Sequence, residues 1–243
     1  MREKGQRPNG SAREEGTPAI SKALVTSAPK RRRLPPAARR GQIIEAAVAF
    51  FAEVGLEGRT RDLSKRLGIT QSLLYKYFDS KEALLEAVFE HVYIGRLSPE
   101  WPKLLTDRRL SLRDRLVQFY CEYTDAIFTY EWMRIFMFSG LAGERLNQRY
   151  LAHLKETLLE PLLLELQAGS TEPIRPHIED IWNLHGGIVY LGIRKYIYQM
   201  PTPSDVRSEI ERAVDRLLLH IGASDSRERG STFEVQRTNT SAD

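Results

Sequence analysis

The chain has 243 residues, 42% hydrophobic and 28% charged, which is ordinary for a soluble globular protein with a real core. Its one cysteine, Cys121, excludes an intramolecular disulfide, and its longest uncharged run, residues 181–193, is too short to cross a bilayer. No apolar segment follows the basic N-terminus, so we expect no signal peptide, no membrane partner and a cytoplasmic location.

Charge is unevenly distributed along the chain. Residues 1–40 hold eleven basic and three acidic residues, a net charge of +8, which leaves −4 for residues 41–243 in a chain of net charge +4. Residues 1–36 also lack an apolar period, and their composition predicts a disordered basic arm. Such an arm suits a polyanion, either nucleic acid or a membrane surface, and equally suits a passive solubilising tail.

The predicted elements are helices, beginning with a stripe from Ala37 that ends at Gly55. Three more follow, over residues 61–67, over residues 71–78, and from residue 80 until "LSPEWP" breaks the pattern near residue 100. Thr60, Thr70 and Asp79 are their predicted N-caps.

The second part of the chain also reads as helices. They are a stripe over residues 112–127, the nearly all-apolar "WMRIFMFSGL", a Leu-rich segment over 150–167, an apolar helix over 178–200, and a last helix over 204–221. Pro161 should kink or split the Leu-rich segment, and Ser204 can cap the last helix. No alternating strand pattern occurs, so the predicted fold class is all-α.

The stretch "GITQSLLYKYFDSKEALL", residues 68–85, has an outward polar side. Leu74 and Phe78 are four residues apart and should pack inward. The outward residues are then Gln71, Ser72, Tyr75 and Lys76. Two short helices joined by a tight turn are helix-turn-helix geometry, in which the second helix enters the major groove. Gln can pair with adenine, Lys with guanine, and Tyr hydroxyls with phosphate oxygens.

The segment "GRTRDLSKRLGITQSLLYKYFDSKEALLEAVFEHV" resembles the DNA-binding domain of the tetracycline-repressor (TetR) family, over roughly residues 39–95. The resemblance implies phosphate contacts from Thr60, Arg61 and Lys81. It implies a recognition surface made of Thr70, Gln71, Ser72, Leu73, Tyr75, Lys76 and Tyr77. Arg59 and Leu73 depart from the pattern of many relatives, which have small or hydroxyl residues there, and this leaves the operator sequence open.

The resemblance also implies the domain plan. A helix-turn-helix DNA-binding domain, residues 37–97, is joined by a long helix to an effector-binding and dimerisation bundle, residues 98–221, with a disordered tail over 222–243. Homodimers would form through residues 177–199 and 204–221, where Gly186, Gly187 and Gly192 would allow close helix approach. Two copies would read a palindromic double-stranded operator with half-sites about one helical turn apart.

A small ligand inside the bundle is the family's usual effector. Candidate lining residues are Phe119, Tyr120, Tyr123, Trp132, Phe136, Phe138, Trp182, His185 and Tyr190. Aromatic residues at helical spacing are more often core, so packing is the alternative for each. His185 is the polar group of most interest in this set.

Other functions have weaker support. The five histidines are scattered, so we expect no metal, and no nucleophile–base pair or cofactor motif stands out, so we expect no enzyme and no cofactor. The first hypothesis is a dimeric repressor released from its operator by a small apolar or aromatic ligand. The alternatives are an activator or regulator without ligand control, a helical ligand-binding protein that does not read DNA, and a membrane-surface protein.

Overall fold

The computed structural model describes residues 35–143, 145–169 and 175–223, and within these ranges every regular element is helical. The α-helices are α1 (Pro36–Val54), α2 (Thr60–Leu67), α3 (Gln71–Leu74), α4 (Lys81–Val92), α5 (Trp101–Thr106), α6 (Leu112–Ile127), α7 (Tyr130–Leu141), α8 (Arg145–Leu154), α9 (Glu160–Gly169), α10 (Ile178–Tyr196) and α11 (Val206–His220). A 3-10 turn, Ile94–Arg96, follows α4, and a π-helical turn, Lys155–Leu159, joins α8 to α9. The all-α prediction is confirmed, whereas the predicted disorder of both termini falls almost wholly outside the described residues.

The first helices form a small head around one apolar stripe. Ile43, Ala47 and Phe51 of α1 are fully buried, and α4 and α7 pack against this helix. Leu63 of α2 and Leu74 of α3 join the same core. Because each short helix buries only one side, the opposite sides of α2 and α3 remain exposed.

A glycine turn sets the angle between α2 and α3. Gly68 has φ +63°, a left-handed conformation that disfavours any residue with a Cβ. The Gly68 N–H donates to the Lys65 carbonyl at 3.1 Å, and the Ile69 N–H donates to the Ser64 carbonyl at 3.0 Å. These two bonds end α2 and bring α3 back across it.

Helix α3 is shorter than predicted. The Thr70 hydroxyl caps it as expected, accepting from the Leu73 N–H at 3.2 Å, but the α-helix stops at Leu74. The chain then continues in turns with tighter bonds, such as Lys76 N–H to the Leu73 carbonyl at 3.2 Å. The outward polar side therefore spans one helical turn and the turn after it.

Three predicted N-caps are wrong by one residue. Ser80, not Asp79, caps α4, because its hydroxyl accepts from the Ala83 N–H at 3.1 Å. Asp205, not Ser204, caps α11, since its carboxylate accepts from the Ser208 N–H at 3.1 Å. Thr60 is the first residue of α2 instead of its cap, which leaves its hydroxyl available for another role.

Pro161 distorts its helix without breaking it. Because proline has no N–H, the carbonyl four residues earlier loses its partner. The chain accommodates this with the π-helical turn over Lys155–Leu159, directly before α9. Leu158, Leu159 and Leu162 stay buried across the distortion, so the predicted kink takes the form of a wider turn.

Helix α7, which contains the nearly all-apolar segment, is buried on one side and keeps an exposed end. Trp132, Met133 and Ile135 are buried, but Leu141 is 84% exposed. Helices α1, α8 and α10 cover only part of its circumference. Apolar composition alone does not distinguish a fully buried helix from one that keeps an exposed end.

The glycines of α10 have two different roles. A Cβ at Gly192 would collide with Met133 and lie 2.8 Å from a ring carbon of Phe128, so this glycine lets α10 approach α7 within one subunit. The predicted close helix approach at Gly192 thus occurs within one subunit, between α10 and α7. A Cβ at Gly186 or Gly187 would meet nothing within 4 Å, and both residues are exposed.

Three side chains of α7 and α8 fasten the head to the rest of the protein. The Arg134 guanidinium donates from Nε to the Ala52 carbonyl at 2.5 Å, at the end of α1. The Phe138 ring packs against Gly55, where an added Cβ would lie 3.6 Å from the ring. Arg149 pairs with Glu86 of α4 at 2.6 Å. We call these contacts the junction, because they tie α1 and α4 to the helices that follow.

Candidate functional sites

The outward side of α3 and its following turn is the first candidate site. Gln71, Ser72, Tyr75 and Lys76 are exposed, whereas Leu74 is 1% exposed beneath them. We call these four exposed residues the polar face. The structure thus brings together the residues that the sequence predicted to point outward.

The other residues of the implied DNA-contact set lie on the same two helices and at the start of α4. Arg61 and Thr70 are exposed, and Leu73, Tyr77 and Lys81 are half-buried. Leu73 is thus less accessible than its neighbours in the polar face. The structure gives the solvent exposure of these side chains, and their contacts with DNA stay predictions.

Thr60 is 7% exposed, and its hydroxyl joins two residues of the polar face. Its Oγ1 accepts from Gln71 Nε2 at 3.1 Å and lies 3.0 Å from the Tyr75 hydroxyl. A threonine oxygen can accept two hydrogen bonds and donate one, so all three groups can be satisfied together. Sequence reasoning placed Thr60 at the protein surface and missed this link.

Positive charge near the polar face is unpaired within the described residues. Arg61, Lys76 and Lys81 form no ion pair there. Arg66 differs, because it makes two bonds to Glu53, at 2.6 and 2.7 Å, and this hydrogen bonding lowers the pKa of the Glu53 carboxyl. The unpaired cations are available for anionic oxygens.

A cluster of contacting aromatic rings lies in the core between α4 and α10. Its members are Tyr93, Trp101, Phe119, Tyr120, Tyr123, Trp132, Phe136, Tyr150, Trp182 and His185. Neighbouring ring centroids are 4.8 to 6.4 Å apart within it. We call this set the aromatic cluster, and it contains seven of the nine residues predicted as candidates for lining an effector site, all except Phe138 and Tyr190.

Tyr190 lies apart from the cluster. It is 49% exposed on α10, and its ring contacts Tyr198 at the surface. Conversely, Tyr93 and Tyr150 belong to the cluster although the sequence did not single them out. Each sits on an apolar helical stripe, which was a weak signal for them.

The cluster holds both paired and unpaired polar atoms. The Tyr123 and Tyr150 hydroxyls are 2.7 Å apart and bonded. In contrast, four atoms are buried without a hydrogen-bond partner in the described part of the chain: Tyr93 Oη, Tyr120 Oη, Trp132 Nε1 and His185 Nδ1. Native cores contain few such atoms, so their concentration here is unusual.

Burial keeps these groups uncharged. Desolvation lowers the pKa of His185 to about 4, and desolvation raises the pKa of Tyr93 well above its usual value. At neutral pH the cluster is therefore a set of neutral donors and acceptors within apolar walls.

The outer side of α10 and α11 forms a third feature. A groove of about 490 Å³ runs between them, lined by Leu184, Gly187, Leu191, Ala213 and Leu217, among others. Its rim carries charged residues, including Asp180 and Arg216. This is the surface for which the sequence predicted dimer contacts.

Across residues 35–143, 145–169 and 175–223, no group of three His, Cys, Asp or Glu side chains is arranged to hold a metal ion. None of the helices in those ranges is both long and apolar enough to cross a bilayer.

The three-helix head, with its tight turn and exposed polar face, has the geometry of a helix-turn-helix DNA-binding domain. Residues 43–88 match the family model described as "Bacterial regulatory proteins, tetR family". The match covers this head alone, so the similarity to the TetR family is a similarity of the DNA-binding domain.

Individual relatives show how far the similarity reaches. The tetracycline repressor protein class A from transposon 1721 of Escherichia coli is 35% identical over 85 residues, which are 32% of this chain and 39% of that protein. The repressor KstR2 of Mycolicibacterium smegmatis is 41% identical over 54 residues, 22% of this chain and 26% of that protein. The matched segments thus span well under half of these relatives.

The fold similarity extends further than the sequence similarity. The ketosteroid transcriptional regulator KstR2 of Mycobacterium tuberculosis has a TM-score of 0.57 over 77% of this chain and 96% of its own, at 19% identity. A TetR-family regulator from Pseudomonas syringae has a TM-score of 0.55 at 18% identity. At such identities the comparison establishes the arrangement of helices and nothing about ligands.

Proposed function

We propose that this protein is a sequence-specific DNA-binding transcriptional regulator that acts as a dimeric repressor and leaves its operator when a small ligand binds. The observation that carries the proposal is the polar face, whose four residues are exposed above the buried Leu74 on a helix-turn-helix head. A connecting segment needs no such arrangement of amide, hydroxyl and ammonium groups.

Base reading would begin with Gln71. One of its two amide hydrogens is used by Thr60, and the other remains free beside the amide oxygen. That pair can bond adenine N7 and N6 in the major groove. Thr60 can in turn donate to Tyr75, which leaves the tyrosine hydrogen for a phosphate oxygen. Thr60 is therefore proposed as a positioning residue and not as a direct phosphate contact.

Electrostatics supports binding to a duplex. Arg61, Lys76 and Lys81 are unpaired in the described part of the chain and can each neutralise a phosphate. The basic residues over 30–33 lie just before α1 in sequence and could add to them. Repression, as opposed to activation, is supported by the similarity to a tetracycline repressor protein and to the repressor KstR2.

Dimerisation is proposed through α10 and α11. Gly186 and Gly187 offer room for a second backbone, and the groove beside them is lined by Leu184, Leu191 and Leu217. Leu219 is 84% exposed on the same helix pair. A second copy would cover these apolar groups and place two heads on half-sites about one helical turn apart.

Operator selection tests the main proposal. The full chain is incubated with a random duplex pool at physiological salt, and the enriched sequences are mapped by footprinting. We expect a palindromic footprint with half-sites about one turn apart. Binding without enrichment that fades steadily with salt would contradict sequence reading and leave only electrostatic attachment.

The role of Thr60 is tested by Thr60→Val, which removes the hydroxyl at nearly constant volume, with Thr60→Ser as the matched control. We expect Thr60→Val to reduce discrimination between operator and mutated operator by about fivefold, in line with one lost hydrogen bond of about 1 kcal/mol. Thr60→Ser should keep it. Equal loss in both variants would mean that only packing matters at this position.

The dimer is tested by sedimentation equilibrium of Gly187→Trp, with Gly41→Trp as control. A Cβ at either glycine meets nothing within 4 Å in the subunit, so both variants should fold. We expect Gly187→Trp to be monomeric and Gly41→Trp to remain dimeric. A dimer in both variants would move the interface elsewhere.

A further inference from the structure

The four unpaired atoms of the aromatic cluster come from four different helical segments. Tyr93 follows α4, Tyr120 lies on α6, Trp132 on α7 and His185 on α10. Each of these side chains is at least 95% buried. Packing alone does not require polar atoms at these positions, since phenylalanine or leucine would fill similar space without burying an unpaired group.

The four atoms are connected through ring contacts. Tyr93 and Trp132 have centroids 5.2 Å apart, and both contact Tyr150. The Tyr150 hydroxyl is bonded to Tyr123, whose ring is 5.2 Å from His185. One molecule inserted among these rings would therefore face donors and acceptors on two sides.

The chemistry of the atoms restricts what could bind. Trp132 Nε1 can only donate, and the tyrosine hydroxyls can donate or accept, so a partner must offer at least one acceptor. The one carboxylate bonded to the cluster in the described residues, Glu122, is exposed and already accepts from Trp101 Nε1 at 2.9 Å. The ring contacts of these four side chains are all with other uncharged rings, so a charged ligand would lose its hydration here without compensation.

We propose that the aromatic cluster is the effector site and that its ligand is an uncharged, largely apolar molecule bearing a carbonyl, ether or hydroxyl oxygen. This inference rests on the proposed function, in which a small ligand releases the protein from its operator. Ligand binding to the aromatic cluster can nevertheless be measured without DNA. Phe136 stacks on Trp132 at 5.1 Å and is only partly buried, as is Trp182, so these two rings are the members of the cluster that reach solvent.

The position of Trp132 connects the site to the head. Trp132 lies two residues before Arg134, whose guanidinium bonds the end of α1, and Tyr93 directly follows α4. A ligand that displaces these rings therefore acts on both helices that the junction fastens. The contacts that hold α1 and α4 would then differ between the ligand-bound and ligand-free states, and this difference would shift the position of the head.

Three compounds with one ring system test the ligand class: 2-naphthol, naphthalene and naphthalene-2-sulfonate. They differ only in a neutral oxygen, no polar group, or a charge. Binding to the full chain is measured by isothermal titration calorimetry, with thermal unfolding followed by circular dichroism. We expect 2-naphthol to bind at least tenfold more tightly than either of the others. Equal affinities, tighter sulfonate binding, or no binding by any of the three would overturn the inference.

Two tyrosine variants separate ligand anchoring from structural roles. Tyr120→Phe removes an unpaired hydroxyl, so it should raise Tm by about 2 °C yet weaken 2-naphthol binding severalfold. Tyr123→Phe is the matched control: it removes a paired hydroxyl, so Tm should fall while 2-naphthol keeps its affinity. A lower Tm in Tyr120→Phe would mean that internal water satisfies this hydroxyl, and would overturn the inference.

Operator binding of the same proteins is measured separately, without any naphthalene compound. Intact operator binding together with absent 2-naphthol binding would defeat the ligand inference alone. Conversely, tight 2-naphthol binding by a chain that selects no operator would support the site and defeat the proposed function.

Discussion

The polar face and the aromatic cluster treat polar side chains in opposite ways. Gln71 and Tyr75 are exposed to water, yet they are already bonded to Thr60. Tyr120 and Trp132 are out of reach of water, yet their polar atoms have no partner in the described residues. Gln71 and Tyr75 thus have a protein partner where water could have supplied one, whereas Tyr120 and Trp132 have none where water is excluded.

This contrast indicates which polar groups are the better candidates for binding a ligand. A surface group gains little from an intramolecular partner, so the bonds to Thr60 mainly restrict side-chain conformation before a contact is made. A buried unpaired group costs about 1–3 kcal/mol. Several of them in one cluster therefore point to a function more strongly than several exposed ones.

The largest expected effect concerns the buried histidine. The pKa of His185 is lowered by burial to about 4, below its unfolded value near 6.5, so the unfolded state binds the proton first as pH falls. Stability due to this group is present above pH 6.5 and is lost toward pH 4, by about 3 kcal/mol. His185→Phe should remove this loss. Urea unfolding at pH 4 to 7 measures it, and parallel pH profiles for the two proteins would contradict the prediction.

The next effect concerns the junction. Arg134→Leu removes the charged donor that bonds the Ala52 carbonyl, and we expect a loss of about 2 kcal/mol in the free energy of unfolding. Arg149→Leu is the matched control, because its ion pair with Glu86 is half exposed and should contribute less than about 1 kcal/mol. Urea unfolding compares them. Equal losses would show that the junction depends on packing and not on the bond to α1.

A smaller effect is expected at the polar face. Gln71→Ala should lower discrimination between the selected operator and its base-substituted variants by about tenfold, with little change in folding stability. Fluorescence anisotropy titrations on paired duplexes measure this ratio. Lys65→Ala is the control, since Lys65 is exposed on α2 and paired with Asp62. A uniform loss on all duplexes would reassign Gln71 to backbone contact.

The smallest effect on specificity is expected from the basic arm. Replacing residues 1–33 with a neutral Gly/Ser segment should make the slope of log K against log salt less negative by about 3, if the four basic residues over 30–33 meet phosphates. The ratio between operator and variant duplexes should stay the same. An unchanged slope would identify the arm as a passive tail.

Local pattern was sufficient for the helices and for the outward face. The four-residue spacing of Leu74 and Phe78 determined which side of α3 is buried, and Gly68 marked the turn. The caps were less secure, because Asp79 and Ser80 are both good cap residues and only the backbone path selects the serine. Helix α3 was predicted too long because the apolar spacing of its residues continues through the following turns to Phe78.

Residue patterns alone were sufficient to predict an all-α chain whose N-terminal segment carries a TetR-type helix-turn-helix. Periodicity and turn residues act over a few positions, so they can be recognised without the fold. The pairing of polar atoms, in contrast, depends on the tertiary structure. Thr60 meets Tyr75 across 15 positions and Tyr123 meets Tyr150 across 27, while Tyr120, three residues from Tyr123, meets no partner in the described chain. Hydrogen bonding between distant segments depends on distances of a few tenths of an ångström, which helix packing fixes and residue spacing does not.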